Sequence, residues 1–303
     1  MHIGITGASG FLGREIIRQA GEQGHAVTAY SRRPETPVAG AARTVAFGSD
    51  LTFDGIETVI HLAGESIMGV WTTQKKARIL DSRIHGTRRV VEAMTRTVPK
   101  PRVLISASGV AIYGSRGEEI LTEEAAIGPG GFLREVAVAW EQEAARAGAA
   151  GIRVVSVRVG MVLGQGGGAL PLLARVFGLG LGGPLGTGRQ WLPWVHVRDV
   201  AALFLHAATH DGVNGPLNGT APSPVRNVEF TRTLGQVLHR PTVLPAPEFL
   251  LRPLLREQAS LVLDSQRVVP AKALSTGFTF RYAELRPALE EGVGVEERVG
   301  VSA

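Results

Sequence analysis

Cysteine is absent from the 303 residues. That absence excludes disulfides, thiolate metal sites and a cysteine nucleophile together, and it leaves the redox compartment unmarked. Lysine is almost absent. Lys75, Lys76, Lys100 and Lys272 are the only four among 32 basic residues, the rest being arginine, and none lies between residues 101 and 271. Tyrosine is as scarce, with Tyr30, Tyr113 and Tyr282 alone. No Tyr-x-x-x-Lys pair can be formed, so proton transfer by that device is excluded. Long apolar runs are missing too: the most apolar stretch, residues 169–188, is broken by Arg175 and is rich in glycine and proline, so it does not make a membrane span. No signal-like start precedes the first strand, and a cytoplasmic protein is the expectation.

What is present suits one large α/β domain with an appended lobe. Apolar residues make up 44% of the chain, enough to bury a sizeable core at this length. The net charge is +5, yet the arginines are scattered along the sequence without a basic cluster. A solvated basic surface follows rather than a nucleic-acid interface, with positive charge available for phosphate groups on a small ligand. No metal site is expected.

The most informative segment is the first thirteen residues. A short apolar strand runs into Gly7, Gly10 and Gly13, and a helical pattern with Phe11, Leu12, Ile16, Ile17 and Ala20 follows. Gly7 permits the tight turn, Gly10 lets backbone N–H groups approach a pyrophosphate, and Gly13 allows close packing of the new helix. The helix N-terminus then faces the phosphates. This cradle, with Ser9 in its loop, predicts dinucleotide binding.

Further short apolar runs read as buried strands at 26–30, 44–47, 58–62, 103–107 and 153–157, with helices near 10–22, 75–95 and 132–147. Repeated βα units predict a doubly wound parallel sheet with its ligand at the carboxyl ends of the strands. Residues 1–217 are read as the dinucleotide-binding domain, with an irregular substrate segment at about 164–192. Helical periodicity returns at 199–209 and 227–238, and residues 245–295 read as a smaller lobe that includes a strand from Gly277 to Tyr282. His196 and Asp199 read as a strand end and a helix N-cap.

Several segments jointly resemble the extended short-chain dehydrogenase/reductase superfamily, and within it the "epimerase family" branch with a carboxyl-terminal extension of unknown function. They include Gly7–Gly13, His61-Leu-Ala-Gly-Glu65, Asp81–Thr87, Ser106-Ala-Ser-Gly-Val-Ala-Ile-Tyr-Gly114, Trp140-Glu141, Arg158–Gly164, Gly182–Trp191, Trp194–Asp199, Asn218–Pro222 and Ser265–Pro270. The resemblance spans nearly the whole chain. It implies a Rossmann-like fold with a smaller carboxyl-terminal lobe covering a small-molecule substrate, and, by analogy with relatives, a homodimer paired through two long helices.

In such a fold the end of the second strand meets the adenosine ribose. A carboxylate there holds the 2′-hydroxyl of NAD, whereas arginine neutralises the 2′-phosphate of NADP. The segment Tyr30-Ser31-Arg32-Arg33 has no acid, so NADP(H) is expected, with Ser31 and Arg32 as the phosphate grip. Leu62, Ala63 and Gly64 end the fourth strand with residues small enough for a cofactor to lie across them. Arg83, where the superfamily usually places asparagine, can bind pyrophosphate or a substrate anion. Ser106 and Val162 complete the cofactor residues implied by the resemblance.

The resemblance gives Ser108 the task of holding a substrate hydroxyl or carbonyl. The tyrosine and lysine positions, aligned on Trp140-Glu141, become Leu133 and Ala137, neither of which transfers a proton. Hydride chemistry would then need another acid, for which Tyr113 and Glu65 are candidates beside His61 and His196. Glu65 could equally bind a ribose hydroxyl, and a histidine in an apolar strand is more often a hydrogen-bonded core residue. Two functions remain: an NADP(H)-dependent oxidoreductase or nucleotide-sugar-epimerase-like enzyme, or a catalytically silent NADP(H)-binding sensor. Arg189, Gln190 and Trp191 look suited to gripping a ligand.

Overall fold

The computed structural model describes residues 1–294. The chain opens with β1 (His2–Thr6), whose Ile3 and Ile5 are fully buried, as a parallel strand covered on both faces must be. Gly7 turns the backbone at φ +72°, and α1 (Phe11–Glu22) buries Ile16, Ile17 and Ala20 against the sheet. Each such buried isoleucine contributes about 1.5–3 kcal/mol relative to exposure. β2 (Ala26–Ser31), β3 (Arg43–Ala46) and β4 (Thr58–His61) follow. α2 (Thr73–Arg96) starts where the Thr72 hydroxyl accepts the Lys75 N–H, and it buries a stripe that includes Ile79, Val90 and Met94. β5 (Val103–Gly109) and α3 (Phe132–Ala145) complete the elements around the candidate site.

β1 to β5 pair in parallel, in the order β5, β4, β1, β2, β3, and the strands Arg153–Val159 and Gly215–Gly219 extend the sheet beyond β5 to make seven. The chain leaves β1 in one direction through β2 and β3, then resumes on its other side with β4. The strand order therefore reverses between β1 and β4, which opens a crevice at their carboxyl ends. Gly7 leaves β1 there and Leu62 leaves β4 there.

Two compact units divide the chain. The first comprises residues 1–109, 133–158 and 201–217, with Phe53, Val59, Met94 and Leu104 in a core between sheet and helices. The second takes residues 110–132, 159–200 and, of the described residues, 218–294, with Leu163, Phe177, Trp194, Phe230 and Leu289 at its centre. Its sheets are pairs of very short strands: Met161–Leu163 with Trp194–His196, Trp191–Leu192 with Val225–Arg226, and Ile120–Leu121 with Arg267–Val268.

The segment 164–192 is not irregular throughout. It contains α4 (Leu170–Gly178), which forms because Leu170 and Phe177 share a buried face. The alternation of Phe278, Phe280 and Tyr282 does not make a strand. The backbone N–H groups of Arg281 and Tyr282 donate instead to the carboxylate of Asp199, at 2.8 and 2.9 Å. Asp199 accordingly lies in the first turn of α5 (Val197–Thr209) and does not cap it, while His196 does end its strand.

Candidate active site

The glycine loop has the shape of an anion cradle. A Cβ on Gly13 would come within 2.5 Å of the Gly7 carbonyl oxygen, and one on Gly7 within 2.9 Å of the Ala63 nitrogen, so the loop, α1 and the end of β4 meet at backbone distance. At the start of α1 the amides of Phe11, Leu12 and Gly13 have no preceding helical carbonyl to bond. Gly10 supplies no side-chain cap, and the first turn holds no acid. A positive helix end with open donors is what a pyrophosphate requires. Ser9 and Gly10 are exposed on the loop.

At the end of β2, the Ser31 hydroxyl accepts the Arg33 N–H at 3.0 Å, which folds the turn and leaves Arg32 and Arg33 exposed. Neither arginine is paired with a carboxylate among the described residues. At the end of β4, His61 is fully buried between the hydroxyls of Thr6 and Thr87, at 2.7 and 3.0 Å. Burial pushes its pKa down to about 4, with Arg83 adding to the shift, so it stays neutral as a core residue. Leu62 and Ala63 are half-buried and Gly64 is exposed, forming a low step beside the loop.

Glu65 is engaged. Its carboxylate accepts from Lys75 Nζ at 2.6 Å, with Arg78 at 3.7 Å, and the Lys75 bond holds it below the usual carboxylate range. Arg32 lies near enough to pull in the same direction. The Arg83 guanidinium lies beside Gly64, where a Cβ would stand 3.2 Å from its Cζ. Its Nη1 donates to the carbonyls of Glu65 and Ile79, at 2.9 and 3.2 Å. Nε and Nη2 make no hydrogen bond among the described residues, so they are available to an anion.

Ser108, at the end of β5, does not stand alone. Its Oγ donates to Glu141 Oε1 at 2.7 Å, and Arg158 donates to the same carboxylate twice, from Nε to Oε1 and from Nη2 to Oε2, each at 2.9 Å. Ser108 is 6% exposed and Arg158 4%. Removing one partner of such a buried pair typically costs about 3–5 kcal/mol, because the other charge is left unpaired. Leu133 and Ala137 precede Glu141 on α3 at steps of four, one face of the helix. Ser106 is buried, its hydroxyl donating to the Ala107 carbonyl at 3.1 Å.

Glu141 and Arg158 were not expected as site residues. The signal for them was a charge in an apolar setting: Arg158 stands in the strand Arg153–Val159 among valines, and a buried arginine requires an acid. Tyr113 and Val162 belong to the second unit. Tyr113 is completely buried and its hydroxyl donates to Asn218 Oδ1 at 2.7 Å, while Val162 pairs with Val195. In that unit the Gln190 amide is spent on the carbonyls of Leu185 and Val262, and Trp191 lies between Arg226 and Arg267, each Cζ 4.6 Å from its ring. No group of three His, Asp or Glu side chains among the described residues is placed to hold a metal, and no described helix is long and apolar enough to cross a membrane.

A Rossmann-like sheet with a glycine cradle at its switch point, and a serine at the end of β5, defines the dinucleotide-binding short-chain dehydrogenase/reductase class. The NAD dependent epimerase/dehydratase family model matches residues 3–218, and a domain of unknown function, DUF1731, matches residues 246–291. The chain belongs to the NAD dependent epimerase/dehydratase family. It is 41% identical over 298 residues to the epimerase family protein YfhF of Bacillus subtilis, covering 96% of this chain and 97% of that one. It is also 36% identical to the chloroplastic SDR39U1 homologue of Arabidopsis thaliana, over 95% of this chain and 86% of the relative. The crystal structure of human epimerase family protein SDR39U1 with NADPH superimposes with a TM-score of 0.87 at 32% identity, covering 97% of this chain and 99% of that chain.

Proposed function

We propose that this chain binds NADP(H) and carries out oxidoreductase or epimerase-like chemistry on a small polar molecule that engages Ser108. The observation that carries the cofactor assignment is the end of β2, where Ser31 is followed by two exposed arginines, paired with no carboxylate among the described residues, in a Tyr30–Arg33 segment that holds no acid. NADPH in the human relative supports the same reading. In this reading Ser9 to Leu12 hold the pyrophosphate, with Gly7 and Gly13 shaping the loop. Ser31 and Arg32 hold the 2′-phosphate, Leu62 to Gly64 lie under the nucleotide, and Arg83 adds positive charge. Ser106 and Val162 keep the cofactor roles implied by the resemblance. When bound, the nicotinamide supplies a hydride donor or acceptor.

Ser108, fixed by Glu141 and Arg158, orients the reacting oxygen of the substrate. Isothermal titration of NADPH and NADH into the purified protein tests the cofactor assignment, and equal affinity for both would overturn it. Loss of nicotinamide absorbance when aldehydes or quinones are added with NADPH, or its gain when sugars and other alcohols are added with NADP+, abolished in Ser108→Ala, tests the enzyme assignment. A second reading, a silent NADP(H) sensor, is favoured by the apolar Leu133 and Ala137 on the catalytic face of α3. Tight NADPH binding without turnover across the panel would select it.

A further inference from the structure

A serine hydroxyl has a single proton and two acceptor lone pairs. In this protein the proton has a fixed destination. An ionised carboxylate only accepts, so the 2.7 Å contact from Ser108 Oγ to Glu141 Oε1 is a donation by the serine. Arg158 donates to both oxygens of the same carboxylate and holds it in place. Ser108 and Arg158 are buried and Glu141 is mostly so, which limits the access of water to this proton. Turning the Ser108 hydroxyl toward a ligand would strip the mostly buried carboxylate of one of its hydrogen bonds.

We propose that Glu141 is a positioning residue that captures the Ser108 proton, so that Ser108 meets its ligand as an acceptor and the site selects hydroxyl-bearing molecules over the matching carbonyl compounds. A ligand hydroxyl donates to the open lone pair of Oγ. A ketone or aldehyde brings only lone pairs and faces like against like. The side chains one and two turns before Glu141 on α3, Ala137 and Leu133, bring no donor of their own. The inference rests on the assignment of Ser108 to the substrate and names the class of molecule that it takes.

Neutron diffraction from deuterium-exchanged crystals of the full chain reads the proton directly. The expected result is a deuteron on Ser108 Oγ directed at Glu141 Oε1 and none on Glu141; a deuteron on either carboxylate oxygen, or an Oγ–D directed elsewhere, overturns the proposal. Ligand-observed NMR on the NADPH-saturated protein then compares cyclohexanol with cyclohexanone, and cyclopentanol with cyclopentanone. The alcohol of each pair is expected to bind at least about tenfold more tightly, and Glu141→Gln to reduce that preference to about threefold or less. The double variant Glu141→Gln with Arg158→Met removes the clash between amide and guanidinium and is expected to behave alike. Equal binding of both members by the wild type, binding of neither, or an unchanged preference in the folded variants overturns the proposal. Failure of NADPH to bind would sink the cofactor assignment and leave the neutron result standing, so the two failures are distinguishable.

Discussion

The Arg83 guanidinium lies over the indole of Trp140, its Cζ 4.8 Å from the ring centroid. Trp140 stands one turn beyond Ala137 on α3. A cation is thus held against this face of α3, but it is supplied by α2. Aromatic stacking and two backbone carbonyls fix the guanidinium, Glu65 acts on it only as a neighbouring charge, and no carboxylate bonds it among the described residues, so Nε and Nη2 remain available to a ligand.

Arg83→Met removes that charge and keeps much of the packing. NADPH dissociation constants from isothermal titration are expected to rise about tenfold, or about 1.4 kcal/mol. Burial lowers the Arg83 pKa to about 10, so the wild type keeps this contribution at neutral pH and loses it as pH rises through that value. An unchanged constant in the variant would remove Arg83 from the cofactor site.

Arg32→Ala tests the 2′-phosphate grip. NADPH affinity is expected to fall by about thirtyfold, roughly 2 kcal/mol, and NADH affinity to change by less than about threefold. Parallel titrations of the two cofactors check this, and equal losses would refute the assignment.

Gly13→Ala places a methyl group 2.5 Å from the Gly7 carbonyl and 2.7 Å from that of Ala8. Neither carbonyl can yield without moving the loop. Overpacking of this kind costs about 1–3 kcal/mol, measurable as a lower urea midpoint, and NADPH binding should weaken with it. A variant as stable as the wild type, with full affinity, would show that the loop gives way.

His61 makes stability depend on pH. Its folded pKa of about 4 lies below the ordinary 6.5, so the unfolded chain binds the extra proton between those values. Stability attached to the neutral ring is complete above about pH 6.5 and is lost as pH falls toward 4, up to about 3 kcal/mol. His2, His25, His196 and His206 are lowered in the same direction, so His61→Gln isolates the one residue. Urea midpoints at pH 7 and pH 5 should converge in that variant relative to the wild type; an unaltered pH slope would contradict the assignment.

Six strands of the large sheet were legible because each is a short apolar run bounded by turn residues, whereas the seventh, Gly215–Gly219, was not, because Gly-Pro-Leu-Asn-Gly is no apolar run; the glycine cradle was legible because its spacing is local. The serine clamp was not. Ser108 and Glu141 are 33 residues apart, on a strand and a helix, and no periodicity pairs them. The small sheets escaped notice because strands of two or three residues carry no alternation. Residues 277–282 show the opposite error: Phe278, Phe280 and Tyr282 alternate as a strand would, but Asp199 satisfies two of the backbone amides and no neighbouring strand is required.

The pairing of Ile120–Leu121 with Arg267–Val268 joins two stretches that lie in different family matches, 3–218 and 246–291, yet fold within one unit. Gln266 strengthens the join by donating its amide to the carbonyls of Val110 and Gly114. The boundary between the matches is therefore not a place to divide this polypeptide. A fragment ending near residue 218 would bare the edge at Ile120 and leave two buried carbonyls without their donor, and the carboxyl-terminal piece would lack the strand against which it is built.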